Sequence, residues 1–257
     1  MRFKQAIVRP PCDSFAQGIT DANLGAPELN LAQEQHRAYC AALEKCGISL
    51  VMLQPDIRFP DSTFVEDAAV LTRNLAIISR PGAASRRGEA AGMKQVLSRY
   101  FDNIHTIHPP GTLDGGDICQ VENHFFIGIS ARTNADGADQ LASILMGDGY
   151  RSSFIDLRGY DGILHLKSGI AYLGDQRLVM QSGMEKLANF DNFEIVYVDP
   201  DESYAANCLR VNDYILVAEG FPKITAKLFQ LGYKVMKIKI SEFQKMDGGL
   251  SCLSLRF

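Results

Sequence analysis

A thiol, four acids and a histidine in this chain have types and neighbours suited to nucleophilic chemistry on a cation. Cys252, the sixth residue from the C-terminal end, lies in Met246-Asp247-Gly248-Gly249-Leu250-Ser251-Cys252-Leu253, where two glycines let a ligand approach the backbone closely. A lone cysteine is more often a small buried hydrophobe, so its partners decide the reading. Asp61, Glu66 and Asp67 fall in Pro60-Asp61-Ser62-Thr63-Phe64-Val65-Glu66-Asp67, and Asp114 in Leu113-Asp114-Gly115-Gly116-Asp117. A planar guanidinium carries five donors in a fixed fork, and carboxylates match both its charge and its geometry. No metal-ligand histidine cluster accompanies these acids, which favours an organic cation over zinc. An oxygen-ligated divalent ion such as magnesium stays open, although neither the thiol nor the histidine needs one.

His165, in Leu164-His165-Leu166-Lys167-Ser168, has an ordinary pKa of about 6.5 and suits giving a proton to a leaving amine and taking one from water. Between two leucines it also reads as a core histidine. His105 and His108 would face opposite sides of a strand, and they are discounted together with His36 and His124. Arg86 and Arg132 each precede an expected helix, where a cation opposes the helix dipole; two such arginines could clamp an anion. The ligand implied has a cationic head and an anionic tail.

To bring these residues together the chain repeats one phrase: a hairpin, an amphipathic helix, a single strand. The spacing predicts hairpins over 68–72 and 75–79, then turning at Glu122-Asn123-His124, at Gly174-Asp175-Gln176 and at Asn212-Asp213. The helices that follow are expected over 87–101, 135–145, 184–189 and 222–231, and the single strands over 103–107, 153–156, 193–198 and 233–238. A fifth phrase is split across the chain ends, with strand 5–8, helix 31–46 and strand 48–53 at one end and strand 253–256 at the other. Pairing the last strand with the first closes a ring and removes an exposed sheet edge. The fold class expected is α/β, a five-bladed pseudosymmetric propeller in a single domain spanning 1–257. The segments entering the hairpins, which carry the acids, the histidine and the thiol, would then share one cavity. The polar loop 18–30 is long enough to cover it.

Composition narrows the remaining classes. A net charge of −4 and a pI near 5.7 without a basic stripe argue against nucleic acid as a partner. No apolar run is long enough to span a bilayer, and the first residues lack the apolar core of a secretory signal. Six cysteines, at 12, 40, 46, 119, 208 and 252, include no CxxC pair, which speaks against a zinc site or a disulfide framework and for a reducing cytoplasm. A homodimer is compatible with the sequence.

Taken together, Phe-Val-Glu-Asp at 64–67, Arg-Pro-Gly-Ala at 80–83 with Ser-Arg-Arg at 85–87, Leu-Asp-Gly-Gly-Asp at 113–117, Ala-Arg-Thr-Asn at 131–134, His-Leu-Lys-Ser at 165–168 and Asp-Gly-Gly-Leu-Ser-Cys at 247–252 resemble the dimethylarginine dimethylaminohydrolases. That family belongs to the guanidino-group-modifying, pentein-type superfamily. The resemblance covers nearly the whole chain and implies hydrolysis of asymmetric dimethylarginine or monomethylarginine to citrulline and the methylated amine, with no cofactor and no metal. It implies Cys252 as nucleophile, His165 as general acid and base, and Asp114 as the acid beside that histidine. Asp61, Glu66, Asp67, Arg86 and Arg132 correspond to the substrate-binding set, with Asp67 on the guanidinium and the two arginines on the α-carboxylate. Ile19 and Met246 correspond to positions that turn backbone oxygens toward the α-amine. Some bacterial relatives carry Glu where this chain has Asp114. Arginine deiminases are the nearest rival, but they are longer and carry His-Leu-Asp where this chain has Lys167. A non-catalytic binder of arginine derivatives is the third reading.

Overall fold

Short apolar strands bounded by turn residues, each followed by an amphipathic crossover, fold much as their spacing predicts. The structure is a computed structural model describing residues 2–160 and 162–257. Strand β1 (Gln5–Val8) leads through α1 (Leu29–Lys45) to β2 (Ser49–Met52). The hairpin β3 (Ala69–Leu71) and β4 (Leu75–Ile78) leads through α2 (Arg87–Leu97) to β5 (Asn103–Thr106). The hairpin β6 (Ile118–Val121) and β7 (His124–Ile129) leads through α3 (Ala135–Gly147) to β8 (Arg151–Asp156). After the single turn α4 (Leu166–Gly169), β9 (Ile170–Gly174) and β10 (Arg177–Gln181) are followed by β11 (Glu194–Val198). Then β12 (Leu209–Val211) and β13 (Tyr214–Ala218) lead through α5 (Pro222–Gln230) to β14 (Lys234–Ile238), and α6 (Ser241–Gln244) and β15 (Leu255–Arg256) follow.

Among the described residues five three-stranded sheets result, each with a middle strand antiparallel to one neighbour and parallel to the other. The sheet β15-β1-β2 draws its strands from both ends of the chain, with Ala6 opposite Arg256 and Ile7 opposite Leu255, as the split phrase requires. The hairpin turns bend where non-glycine residues take positive φ: Glu122, Asp175, Gln176 and Asn212. Asn212 is held there by its amide, which donates to the carbonyls of Phe3 and Cys46 and accepts the Phe3 N–H; asparagine tolerates this region better than most residues.

Two expectations differ. The helix expected over 184–189 is only a 3-10 turn at Met184–Lys186, because Gly183 at φ 101 opens it and too few apolar positions follow to bury a longer one. The last strand, expected over 253–256, covers only Leu255–Arg256, because Cys252 and Leu253 belong to a 3-10 turn, Ser251–Leu253, closed by the Cys252 N–H donating to the Gly249 carbonyl at 3.2 Å.

The chain divides into two compact units. One comprises Met1–Val65, Gly169–Ser182 and Asp191–Phe257; the other comprises Glu66–Ser168 and Gly183–Phe190. In the first, Phe15, Phe64 and Phe243 pack with ring centroids 5.6 to 6.3 Å apart beside Tyr39 and Leu43 of α1. In the second, Ile77, Leu113, Phe125, Ile127, Leu141 and Leu145 form the core beneath α3. No helix of the described residues is long and apolar enough to cross a membrane.

Candidate active site

The second unit holds a buried set of charges. Asp114 reaches His165 with Oδ2 at 3.2 Å from Nε2, while its other oxygen accepts the Gly82 N–H at 2.9 Å. Asp67 accepts from Arg86 Nη1 at 2.6 Å and from the Gly116 N–H at 2.9 Å. Arg86 turns its remaining edge to Glu89, Nε to Oε1 at 3.0 Å and Nη2 to Oε2 at 2.9 Å. The cation that seemed misplaced at the start of α2 is thus matched by an acid three residues on and by Asp67. Glu66 accepts from Lys167 Nζ at 2.6 Å. Arg132, half-buried, lies in a turn whose backbone N–H at 132 donates to Ser130 Oγ at 3.0 Å.

These contacts set the protonation states. Burial works against a charged imidazole at His165, but Asp117, Asp67 and Asp114 outweigh it and lift the pKa to about 9. His165 is therefore an imidazolium at neutral pH, able to give a proton. Burial would raise Asp67, yet Arg86, His165 and the Gly116 N–H bring it down to about 2. Arg86 is held above its already high ordinary value despite burial, by Glu89 and Asp67. Asp67, Asp114 and His165 present ligand-type atoms within 4.8 Å of one another. The positive charge that two carboxylates need is already supplied there by Arg86 and by His165 itself.

The pair Gly115-Gly116 makes this packing sterically feasible. A Cβ on Gly115 would run into the Glu66 carbonyl, and one on Gly116 would lie 2.8 Å from His165 Cγ and 2.9 Å from Nδ1. Gly116→Ala is therefore expected to displace the imidazole and cost on the order of tenfold to a hundredfold in kcat, with far less effect on folding. Steady-state kinetics beside a melting curve checks this; an alanine variant with unchanged kcat would mean that the ring has room to yield.

The first unit holds the thiol. Gly248 passes so close to the Phe64 ring that a Cβ there would collide with it, and Gly249 passes equally close to the Asn207 amide. The turn is tied down from outside: Ser251 N–H donates to Asn207 Oδ1 at 3.0 Å, Asn207 Nδ2 donates to Ser251 Oγ at 3.1 Å, and Tyr204 Oη donates to the Gly248 carbonyl at 2.6 Å. Cys252 is half-buried, and its sulfur accepts the Gly249 N–H at 3.4 Å. Asp61, buried, takes the Ile19 N–H on both oxygens at 3.1 and 3.3 Å. Gly18 lies against Asp61 and Met246, whose Cε would be 3.0 Å from a Cβ there. Asp247, at φ 55, accepts from Thr20 Oγ1 and the Asp21 N–H, so the loop after Gly18 is fastened to the residues preceding the thiol's turn.

Each unit thus gathers its own share of the predicted residues. Cys252, Asp61, Ile19 and Met246 fall in the first, and Asp114, His165, Asp67, Glu66, Arg86 and Arg132 in the second. Sequence reasoning passed over Glu89, Asn207, Tyr204 and Asp117. Glu89 had a signal, its spacing of three from Arg86; the others act across long separations in sequence.

Comparison with known proteins follows this geometry. Residues 59–215 match a family model described as arginine deiminase. A dimethylarginine dimethylaminohydrolase of Pseudomonas aeruginosa is 44% identical over 99% of this chain and 100% of its own length, and one of Streptomyces coelicolor is 36% identical over 100% of this chain and 98% of its own. A solved structure of the Pseudomonas enzyme, a cysteine-to-serine mutant complexed with citrulline, superposes with a TM-score of 0.97 at 43% identity over 100% of both chains. The product-bound N-terminal domain of ArgZ, an arginine dihydrolase from cyanobacteria, superposes with a TM-score of 0.86 at 20% identity over 100% of this chain and 97% of that one, a likeness of fold.

Proposed function

This chain belongs to the dimethylarginine dimethylaminohydrolase family, and on that premise we propose that it hydrolyses asymmetric N,N-dimethyl-L-arginine to L-citrulline and dimethylamine, and N-monomethyl-L-arginine to L-citrulline and methylamine. The observation that most supports the reading is a buried histidine kept protonated by acids, since expelling an amine requires a proton donor at neutral pH. A single catalytic domain spanning 1–257 is part of this proposal.

In the proposed mechanism the Cys252 thiolate attacks the guanidinium carbon and forms a C–S bond. The C–N bond to dimethylamine then breaks as His165 gives the nitrogen its proton. A covalent thiouronium remains, and His165, now neutral, takes a proton from water as the water adds to the same carbon. The C–S bond breaks as the adduct's hydroxyl proton passes to solvent, where it protonates the released amine; the thiolate returns and neutral citrulline leaves. Asp114 orients His165. Asp67 and Glu66 face the guanidinium, Arg86 and Arg132 the α-carboxylate, and Asp61 with the backbone oxygens at Ile19 and Met246 the α-amine. No step requires a cofactor.

A free thiol has a pKa of about 8.5, so little of it is ionised at neutral pH. A guanidinium about 4 Å away contributes on the order of 4 kcal/mol at an effective dielectric of about 20, equivalent to about three pKa units. Substrate therefore generates its own nucleophile. Ultraviolet titration of the thiolate is expected to show a markedly lower apparent pKa with a guanidinium analogue bound, and an unchanged value would sink this idea.

Choice of substrate follows from Lys167. A dialkylated guanidinium keeps three N–H donors where arginine has five, so it suits a site with fewer acceptors. Lys167 occupies one oxygen of Glu66, where arginine deiminases have a further carboxylate. Incubation with asymmetric dimethylarginine and with arginine is expected to release citrulline and dimethylamine from the first. Ammonia from arginine alone would point to the deiminase reading, and no product from either to a binding protein. A reducing cytoplasm, expected from cysteine spacings without a CxxC pair, is part of the same proposal.

A further inference from the structure

We propose that Asp117, to which the family resemblance gives no role, is the positioning residue that holds His165, Asp114 and Arg132 in register within the second unit. It is fully buried. Its Oδ1 accepts the N–H of Leu166, the peptide next to His165, at 3.0 Å. Its Oδ2 accepts the Ser130 hydroxyl at 2.7 Å. That hydroxyl oxygen in turn accepts the N–H of Arg132 at 3.0 Å and of Thr133 at 3.1 Å. Thr133 in turn accepts the Asp114 N–H on its own hydroxyl at 3.1 Å. One carboxylate thereby fixes the backbone of the acid histidine, of the histidine's own partner and of a substrate-binding arginine.

A neutral amide could make one of these bonds as well, but not both, since one of its two ends is a donor. The charge also has an effect of its own. His165 is faced by Asp114 and Asp117 from the connection preceding β6 and by Asp67 from the 3-10 turn at Val65–Ala68. Asp114 spends one oxygen on the ring and Asp67 is matched by Arg86. Asp117 bonds only neutral donors in the contacts above, and burial pushes its own carboxyl up to about 6. A negative charge so placed favours the imidazolium.

The role in substrate binding rests on the proposed function, whereas the effect on His165 does not. The test is Asp117→Asn, read by NMR titration of the His165 imidazole in the unliganded protein, which requires no turnover. The expected result is a His165 pKa at least about one unit lower than in the wild type, together with a KM for asymmetric dimethylarginine raised about fivefold, the loss of one hydrogen bond's worth of positioning. A variant that melts earlier but keeps both the titration and KM would show Asp117 to be merely structural and overturn the proposal. Should Asp117→Asn not fold, Ser130→Ala removes only the branch to Arg132 and Thr133; a similar rise in KM is expected, and an unchanged KM overturns the coupling. Wild-type protein releasing no dimethylamine would count against the proposed function and leave the titration as the test of Asp117.

Discussion

Replacing Cys252 by serine is expected to lower citrulline formation from asymmetric dimethylarginine by at least about ten-thousandfold, with the melting temperature within a few degrees of wild type. The hydroxyl is smaller than the thiol and can keep the Gly249 N–H as a donor, so the turn has no reason to open. What is lost is the thiolate that a bound guanidinium is proposed to generate. No other thiol can take its place: burial pushes Cys40 and Cys208 up to about 12 and Cys46 up to about 11, and Cys12 and Cys119 are buried too. Substantial residual turnover would mean that a group other than a cysteine attacks the substrate. Citrulline release measured beside a melting curve separates loss of chemistry from loss of fold.

The second large effect concerns stability. Ending the chain after Cys252 leaves the proposed nucleophile in place but removes Leu253 and Leu255, both buried, and the Ser254 hydroxyl 2.6 Å from Tyr39 Oη. It also removes β15 from its pairing with β1 and the Phe257 carbonyl that accepts the N–H groups of Lys4 and Gln5 at 2.8 Å. Two leucines are worth about 1.5–3 kcal/mol each, and the broken ladder leaves buried backbone groups unpaired. A total of at least about 5 kcal/mol rivals the whole stability of a domain and lowers the melting temperature by about 10 °C or more. Arg256 Nη1 also donates to the Ser251 carbonyl at 3.2 Å, so the turn bearing the thiol loses a fastening. A shortened chain that melts with the full one would show the end pairing to be dispensable.

Periodicity and turn chemistry were legible in the sequence. Glu122-Asn123, Asp175-Gln176 and Asn212-Asp213 mark hairpins because each includes a residue that accepts positive φ, and Pro222 with Gly232 bounds α5 closely. Gly115-Gly116 and Gly248-Gly249 were legible as sites of close approach, although what approaches was not: the Glu66 carbonyl and His165 in one case, Phe64 and Asn207 in the other. Buried partners were the least visible. Lys167 reads as the absence of an acid, yet it meets Glu66, about a hundred residues earlier. Asp117 reads as the last letter of a motif, yet its oxygens serve Ser130 and Leu166 on different segments. Such pairs carry no local period, because tertiary folding alone brings them together.

The pairing of β1 with β15 also bears on how the protein is made. Ala6 leaves the ribosome about 250 residues before Arg256, its partner across the ladder. During synthesis β1 can align with β2 through α1, but its other edge must wait. Loop closure over such a separation is slow, and an open strand edge invites pairing with other chains. Nascent chains are thus expected to need shielding on that edge until Leu255 and Arg256 have been made, and these residues follow Cys252 by only a few positions. A product that stops before β15 would keep that edge exposed, which suits it to removal by quality control.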